Sequence, residues 1–391
     1  MTLSPTSLSR KVAIVGVDES DQIGICEGKT SLTLHAEAAR TALRDAGIDK
    51  SEVDFLGTAG ASIMQLAEYL GIQPSYLDGT SVGGSSFVIQ VEHAAAAIDA
   101  GICNVALITH GEMGYSARRG RASRGNGPGR YADPEAPMMQ FEVPYGVGGP
   151  PSVYAMAAMR HMHQYGTTHE QLAEVAVATR KWAQLNPKAK VRDPLSIDDV
   201  LNSKWIAYPL HLYDCCLVTD AGGACVVVSA ERARQLEKKP VYVLGSGEAT
   251  THQSMVNSPD LTQTPARYSG ERAFKMAGLT PNDIDVVEVY DSFTYTALVT
   301  VEELGFCDKG EGGPFLSGQR SAPGGDFPMN TNGGGLSYTH PGMYGMFLII
   351  EAVRQLRGEC GDRQVADART ALVNGTGGSL SSTGTLILGA D

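Results

Sequence analysis

Nothing in this 391-residue sequence approaches the ~20 consecutive apolar residues that a membrane-spanning helix needs. The N-terminus, MTLSPTSLSRKVAIVG, has too short an apolar run after its Arg10-Lys11 pair for a secretory signal. There is no C-x-x-C pair, and the seven cysteines are an odd number, with Cys215 and Cys216 adjacent. That pattern offers neither a disulfide framework nor zinc-ligand spacing, and it predicts reduced thiols in a cytoplasmic protein with no bound metal or other cofactor. Positive charge is scarce as well. Against 43 Asp and Glu stand 31 Lys and Arg, a formal net charge of −12. This argues against nucleic acid or an anionic membrane surface as the main partner, though not against an acidic ligand at a locally basic site.

What the chain does have is length and repetition. A 42 % hydrophobic content over this length supports a large core and two or three domains. Lys11–Val17 (KVAIVGV) matches residues 240–247 (PVYVLGSG), both apolar β-branched runs ending in glycine. Residues 38–59 match residues 270–291, each a helix closed by Ala-Gly, a short acidic link and a strand. The glycine-rich turn and helix at 83–100 match those at 333–357, and 105–112 matches 370–377. Residues 222–230 match 382–390. The unit is β-α-β-α-β-β, occurring twice, which predicts an α/β protein with mostly parallel sheets covered on both faces. The expected domains are 1–117 completed by 212–238, then 239–391, with an insertion at 118–211 that the second half lacks. The insertion is expected to cap the site between the halves. It opens with a mobile basic loop, Arg118, Arg119, Arg121 and Arg124, and continues with one helical stretch over 154–186. Residues 310–325, rich in Gly and Pro, read as a second long surface loop.

Three segments carry chemistry by pattern. Residues 81–87 read SVGGSSF and lead into a helix over 88–100, residues 332–345 read NGGGLSYTHPGMYG, and residues 373–388 read VNGTGGSLSSTGTLIL. In this order they resemble the active-site loops of the thiolase superfamily. Such proteins carry a cysteine in the first loop, Gly-His-Pro in the second and Cys-x-Gly-Gly in the third. Here Gly83 stands at the first cysteine position and Gly375 at the second, and only His340-Pro341 is intact. Glycine has no side chain to acylate. Tyr290-Asp291-Ser292-Phe293 lies where the lipid-transfer-protein and sterol-carrier-protein branch has His-Asp-Cys-Phe. Two lost cysteines together with Tyr290, Tyr295 and Tyr344 look like the cysteine-less steroid side-chain-cleaving aldolases. The resemblance implies a five-layer αβαβα fold with duplicated halves and an inserted cap. It also implies retro-aldol cleavage of a bulky β-hydroxyacyl-CoA, with the coenzyme A thioester as substrate, a homodimer, and a small zinc-ribbon/OB-fold partner subunit. The basic loop and 310–325 are candidate contacts for that subunit.

Residue by residue, His340 precedes Pro341 and a helix expected over 342–357, which makes it an N-cap suited to holding a developing enolate. Tyr344, four residues on, would share a helix face with it. Tyr290 ends a strand, and Asp291 is expected to cap a helix over 292–304, with Tyr295 in its first turns. Helix dipoles at these starts would favour the phenolates of Tyr290 and Tyr344. Gly83, Gly84, Ser85, Asp291 and Gly377 are the candidate oxyanion and substrate-binding group. Arg118, Arg119, Arg121 and Arg124 either form a solvated loop or meet the coenzyme A phosphates, unless the partner subunit does so. Two rival functions stand beside the lyase. One is an acyltransferase using Ser85 or Ser86, which lack a paired histidine. The other is a non-enzymatic lipid or acyl-CoA carrier.

Overall fold

A computed structural model describes residues 8–122 and 134–390. The strands are β1 (Val12–Glu19), β2 (Phe55–Thr58), β3 (Tyr76–Asp78), β4 (Val105–Met113), β5 (Trp205–Ala207), β6 (Leu210–His211), β7 (Asp220–Ser229), β8 (Val241–Thr250), β9 (Val286–Val289), β10 (Thr370–Gly377) and β11 (Ser382–Gly389). The α-helices are α1 (Ser31–Ala46), α2 (Ile63–Leu70), α3 (Ser86–Asp99), α4 (Gly114–Ala122), α5 (Pro137–Phe141), α6 (Pro150–Tyr165), α7 (His169–Leu185), α8 (Ile197–Leu201), α9 (Ala230–Ala233), α10 (Ala266–Ala277), α11 (Thr294–Glu303), α12 (Gly312–Leu316) and α13 (Gly345–Arg357). Among the described residues no helix is long and apolar enough to cross a membrane.

The duplication is visible in the sheet. Its order is β3-β2-β4-β7-β1-β8-β11-β10-β9, so β1, β2, β4 and β7 correspond to β8, β9, β10 and β11 about the β1–β8 junction. The predicted excess of parallel pairs is corrected. In each half only one strand is reversed, but it is inserted centrally. Strand β7 runs antiparallel to both β1 and β4, and β11 to both β8 and β10. One reversed strand therefore converts two of each half's pairings. Strands β1, β7 and β11 are buried along nearly their whole length, as expected of apolar runs covered on both faces.

Helix α1 covers the outer face of the first half and α10 that of the second, while α3 and α13 touch each other and strands of both halves. The layers are thus α, β, α, β, α. The repeat even conserves one backbone contact. A Cβ on Gly16 of β1 would lie 2.2 Å from the carbonyl oxygen of Ala42, and a Cβ on the matching Gly245 of β8 would lie 2.0 Å from that of Ala273. Each outer helix rests directly on a strand because neither position carries a side chain. Caps fix the ends: Thr30 accepts the N–H of Thr33 at the start of α1, and Gly47 (φ 67°) closes it in the left-handed region.

The insertion differs from expectation in three places. The basic run opens as helix α4, capped by Asp220, which accepts the N–H groups of Tyr115 (2.9 Å) and Ser116 (3.0 Å). The stretch 154–186 is two helices, broken at Gly166 (φ 78°), with a Thr168–Gln171 capping box starting the second. Residues 310–325 are not a free surface loop. They hold α12 and pack on the cap, where Trp182 Nε1 donates to the Ser321 carbonyl at 2.7 Å.

A buried ion network ties the first half, the cap and the second half together. Arg354 of α13 reaches Glu19 through both terminal nitrogens and Asp18 through one, Lys188 donates to Glu19 at 2.9 Å, and the Tyr338 hydroxyl donates at 2.7 Å. Burial alone pushes the Glu19 carboxyl up, but Arg354 and Lys188 outweigh it and hold it well below the ordinary range. Its charged form therefore stabilises the fold above the unfolded carboxyl pKa of ~4.3, and this stability is lost as pH falls through the depressed folded value. Arg354→Ala should cost about 3–5 kcal/mol at neutral pH, because it strands a buried charge. The stranded carboxyl then takes up a proton readily, so the deficit measured by urea unfolding should be smaller at pH 5 than at pH 8. A deficit independent of pH would contradict this account.

Candidate active site

The three glycine-rich segments and the end of β9 converge on one phenol. Tyr290 follows β9 directly and is buried. Its hydroxyl lies 2.8 Å from His340 Nε2, accepts the backbone N–H of Tyr344 at 3.1 Å, and faces the Gly342 carbonyl at 3.4 Å. The His340 ring sits edge-on to Tyr290 at 5.6 Å and parallel to Tyr344 at 6.4 Å. His340 is held by its own N–H, donated to Thr219 Oγ1 at 2.8 Å.

The Tyr290 ring occupies the space that a side chain at Gly84 would need. A Cβ on Gly84 would fall 2.0 Å from Tyr290 Cε2 and 2.7 Å from Cζ. A Cβ on Gly83, the position matched to the lost cysteine, would instead meet the backbone of Gly377 and Gly378. The position aimed at the reaction centre is therefore Gly84. The other contacts among these loops are equally close. A Cβ on Gly345 would lie 2.0 Å from the Gly84 carbonyl, and one on Gly377 would lie 1.8 Å from that of Val82. Gly375 adjoins Ser85, whose hydroxyl is buried and 3.1 Å from that of Ser382. Among the described residues no imidazole or carboxylate hydrogen-bonds to the Ser85 hydroxyl.

Several expectations are corrected. Helix α13 starts at Gly345 with Tyr344 as its N-cap, so His340 is not the cap, and the two meet across a loop rather than on one helix face. Asp291 caps no helix either. The residue before α11 is Phe293, and it makes no side-chain cap bond. Asp291 Oδ1 instead accepts the Gly335 N–H at 2.6 Å, and Oδ2 accepts that of Leu336 at 3.2 Å. The phenolates are not favoured. Burial dominates and pushes Tyr290, Tyr344 and Tyr295 well above the ordinary phenol value. The Tyr344 hydroxyl donates to Asn332 Oδ1 at 2.7 Å, so its proton is engaged away from His340. Tyr295 lies outside the cluster. It packs edge-on to His161 at 5.5 Å, beneath the cap, with no hydrogen-bond partner for its hydroxyl among the described residues.

Asp291 gains importance in exchange. Burial raises its pKa to about 7, partly opposed by the N–H groups of Gly335 and Leu336. A Cβ on Gly335 would lie 3.1 Å from its carboxylate and 3.3 Å from His340 Cδ2, so carboxylate and imidazole flank the same small gap. On the other side, the Glu112 carboxylate packs against the Cα of Gly342, within 2.5 Å of where a Cβ would stand. Cys216 is near enough for its thiol to be pushed up by burial, Cys215 and Asp291, with Arg118 opposing. Arg119 stacks on Tyr115 at 5.7 Å. Arg124 and the side chain of Arg121 lie outside the described residues. Sequence reading missed Glu112, and also Tyr154, whose ring stacks on Phe293 at 4.6 Å and whose hydroxyl donates to the Gly378 carbonyl at 3.4 Å. Tyr154 lies in the insertion, where no motif marks it. Among the described residues no cluster of three or more His, Cys, Asp or Glu is arranged to hold a metal ion.

Comparison with known proteins finds both lyases and an acetyl-CoA acetyltransferase among the relatives. A family model described as thiolase C-terminal domain-like matches residues 247–390. The chain is 37 % identical over 376 residues to a steroid side-chain-cleaving aldolase of Thermomonospora curvata, covering 93 % of this chain and 94 % of that protein. It is 36 % identical over 397 residues to a 17-hydroxy-3-oxo-4-pregnene-20-carboxyl-CoA lyase of Mycobacterium tuberculosis, covering 98 % and 100 %. Among solved structures, an Ltp2-ChsH2(DUF35) aldolase superposes with a TM-score of 0.88 at 34 % identity, covering 98 % of this chain and 99 % of that one.

The overlap of ring and missing side chain is testable by itself. Gly84→Ala should cost at least the ~1–3 kcal/mol typical of overpacking. The same substitution in a Tyr290→Ala background should cost less, because the ring is gone. Urea unfolding of the four proteins of this cycle measures the coupling, and equal costs in both backgrounds would rule the contact out.

Proposed function

This chain belongs to the thiolase superfamily, as one of its carbon–carbon lyases, and we propose that it cleaves a bulky β-hydroxyacyl-CoA in the retro-aldol sense, giving a ketone and a shorter acyl-CoA. One observation carries the reading: the Tyr290 ring, whose hydroxyl is hydrogen-bonded to His340, fills the place where a side chain at Gly84 would stand. A phenol that can pass a proton stands where no side chain at 84 can be placed to carry an acyl group.

The chemistry needs a base for the substrate hydroxyl and a stabiliser for the enolate. A buried phenol is a poor base alone. It can act in relay, taking the hydroxyl proton as its own passes to His340 Nε2. The O–H electrons become the ketone carbonyl, the Cα–Cβ pair moves into the thioester carbonyl, and the enolate forms. The proton then returns along the same path to Cα. Asp291, across Gly335 from the imidazole, favours the transient imidazolium. The Tyr344 N–H steadies the phenol oxygen as it gains charge, and the backbone of the Gly83–Ser85 and Gly377–Gly378 turns lines the other wall. No step forms a bond between enzyme and acyl group.

The acyl group is read as steroid-like because the relatives above act on steroid side chains and a pregnene carboxyl-CoA. We assign the coenzyme A phosphates to Arg118 and its basic neighbours. The solved relative's title pairs it with a DUF35 chain, which supports a small partner subunit here. A homodimer is supported by β3, a short edge strand with Tyr76 37 % and Leu77 42 % exposed. The division into 1–117 with 212–238, 118–211 and 239–391 serves this reading, with the insertion as the cap.

Steady-state cleavage of a β-hydroxyacyl-CoA tests the mechanism. Tyr290→Phe and His340→Ala should each lower kcat by about 10²–10⁴-fold, while the proteins stay folded by circular dichroism. Tyr295→Phe should leave turnover near wild type. Asp291, with its pKa of about 7, must be ionised to support the imidazolium, so kcat should rise with pH through about 7 and Asp291→Asn should abolish that limb. Incubation with acyl-CoA should leave the intact mass unchanged, and a stoichiometric acyl adduct would overturn the non-covalent reading. As a test of assembly, Leu77→Lys should convert a dimer to a monomer in light scattering, and an unchanged dimer would move the interface elsewhere.

A further inference from the structure

One buried amide touches both ends of the reaction cluster. Asn332 is 2 % exposed and opens the glycine-rich segment that carries His340. Its side-chain oxygen accepts the Gly334 N–H at 2.8 Å, the two-residue reach that makes asparagine a turn former, and the glycines that follow it bend at φ 101° and φ 61°. The same oxygen accepts the Tyr344 hydroxyl at 2.7 Å. The amide nitrogen donates to the Phe347 carbonyl at 3.3 Å, in the first turn of α13. These partners fix the amide's orientation. A backbone N–H can only donate and a carbonyl can only accept, so oxygen must face Gly334 and nitrogen must face Phe347. The main chain at 332 is held as well, because its carbonyl accepts Asn186 Nδ2 at 2.8 Å from the end of α7.

Each bond to the oxygen leads to one side of the site. On the phenol side, the Tyr344 ring lies parallel to Phe347 at 5.7 Å and edge-on to Tyr290 at 5.8 Å, and the Tyr344 N–H reaches the Tyr290 hydroxyl at 3.1 Å. On the carboxylate side, Gly334 begins the turn Gly334–Tyr338, and the N–H groups of the next two residues, Gly335 and Leu336, are those that Asp291 accepts. The turn is tightly packed there. A Cβ on Gly334 would lie 2.0 Å from Asp291 Oδ2 and 2.9 Å from Thr179 Cγ2. Releasing the Gly334 N–H therefore loosens the donors that hold the Asp291 carboxylate.

We propose that Asn332 is the positioning residue of the relay, its single amide oxygen fixing both the ring beside Tyr290 and the turn that holds Asp291. It acts through these two arms and meets no reacting atom itself. The reaction it serves is that of the lyase reading, whereas titration of Asp291 needs no turnover.

Carboxyl-carbon NMR of protein labelled at its aspartate carboxyls follows Asp291, whose signal is the one lost in Asp291→Asn. The wild-type midpoint is about 7. The neighbouring Cys216 thiol, Glu288 carboxyl and Tyr344 phenol are all pushed up by burial and stay protonated there, and the His340 imidazole faces Asp291 across Gly335. Hydrogen bonds to a carboxylate favour its charged form, so Asn332→Ala should raise the midpoint by about one unit. Asn332→Ser should bring it back toward wild type, because a serine hydroxyl can take the Gly334 N–H. Tyr344→Phe leaves the bond to the turn intact and should leave the midpoint in place. Asn332→Gln, with its oxygen carried one methylene further, should match the alanine variant and replaces it if that variant does not fold. An unmoved midpoint in Asn332→Ala or its replacement would overturn the proposal, as would an equal rise in Asn332→Ser or Tyr344→Phe. In turnover, Asn332→Ala should lower kcat by about 10²-fold with KM little changed, the scale of a misplacement of about 1 Å, and its pH limb should move up with the midpoint. If the midpoints move as stated but wild type cleaves no β-hydroxyacyl-CoA, the lyase reading falls while the hold of Asn332 on Asp291 stands.

Discussion

The site depends on one excluded volume. An ideal Cβ on Gly84 and the Tyr290 ring cannot coexist at 2.0 Å, so a side chain at 84 and the phenol beside His340 are alternatives. This rules out a nucleophilic side chain at 84 while the ring is in place. A nucleophile introduced at 84 would have to expel the ring. The same logic extends to the surrounding loops. Gly345 lies on the Gly84 carbonyl and Gly377 on that of Val82, so the first, second and third glycine-rich segments meet through backbone alone. Packing without side chains makes the phenol's position stiff, and stiffness is what a proton relay over hydrogen-bond distances requires.

The electrostatics are consistent with a relay and not with a standing phenolate. Burial raises the Tyr290 pKa far more than a helix terminus, worth ~0.3–1 kcal/mol, can lower it. The phenol must therefore pass charge on as it receives it. In the proposed relay His340, 2.8 Å away, is the acceptor, with Asp291 across Gly335 and Glu112 against Gly342. Carboxylates that flank a neutral pair favour the state in which the imidazole carries the proton. Asp291 itself accepts two backbone N–H groups and still titrates at about 7, so burial exceeds what those bonds return.

The architecture was legible in the sequence because buried strands announce themselves. KVAIVGV and PVYVLGSG became β1 and β8, and the glycines that end their apolar runs proved to be the pair that seats α1 and α10. The convergence of the glycine-rich segments was legible only through resemblance, since nothing local in SVGGSSF says what it will face. The failures cluster where the backbone is irregular. Residues Gly334–Tyr338 form a single π-type turn, and His340 to Tyr344 are extended or turning, so helical spacing misassigned both the cap and the face. Asp291 looked like a cap because Asp before a helix usually is one. Its real partners are 44 and 45 residues away. Tyr154 and Glu112 were invisible because their roles come from the insertion folding back and from a strand end, neither of which has a pattern to read.

The fold also explains why this place suits an enolate. The central-layer helices α3 and α13 begin at Ser86 and Gly345, and the Gly84 carbonyl touches the Cα region of Gly345, so both N-termini open at the same point. Each contributes roughly half a positive charge from its unpaired N–H groups. At rest, the nearby Asp291 carboxyl is half ionised near neutrality and offsets part of that field. Charge developing on a thioester oxygen would meet two converging dipoles, while the imidazolium formed in the same step meets the carboxylates. In the proposed aldol cleavage the separated charges would each meet their complement. That pairing is needed only after the Cα–Cβ bond begins to break, so it lowers the barrier rather than tightening the ground state.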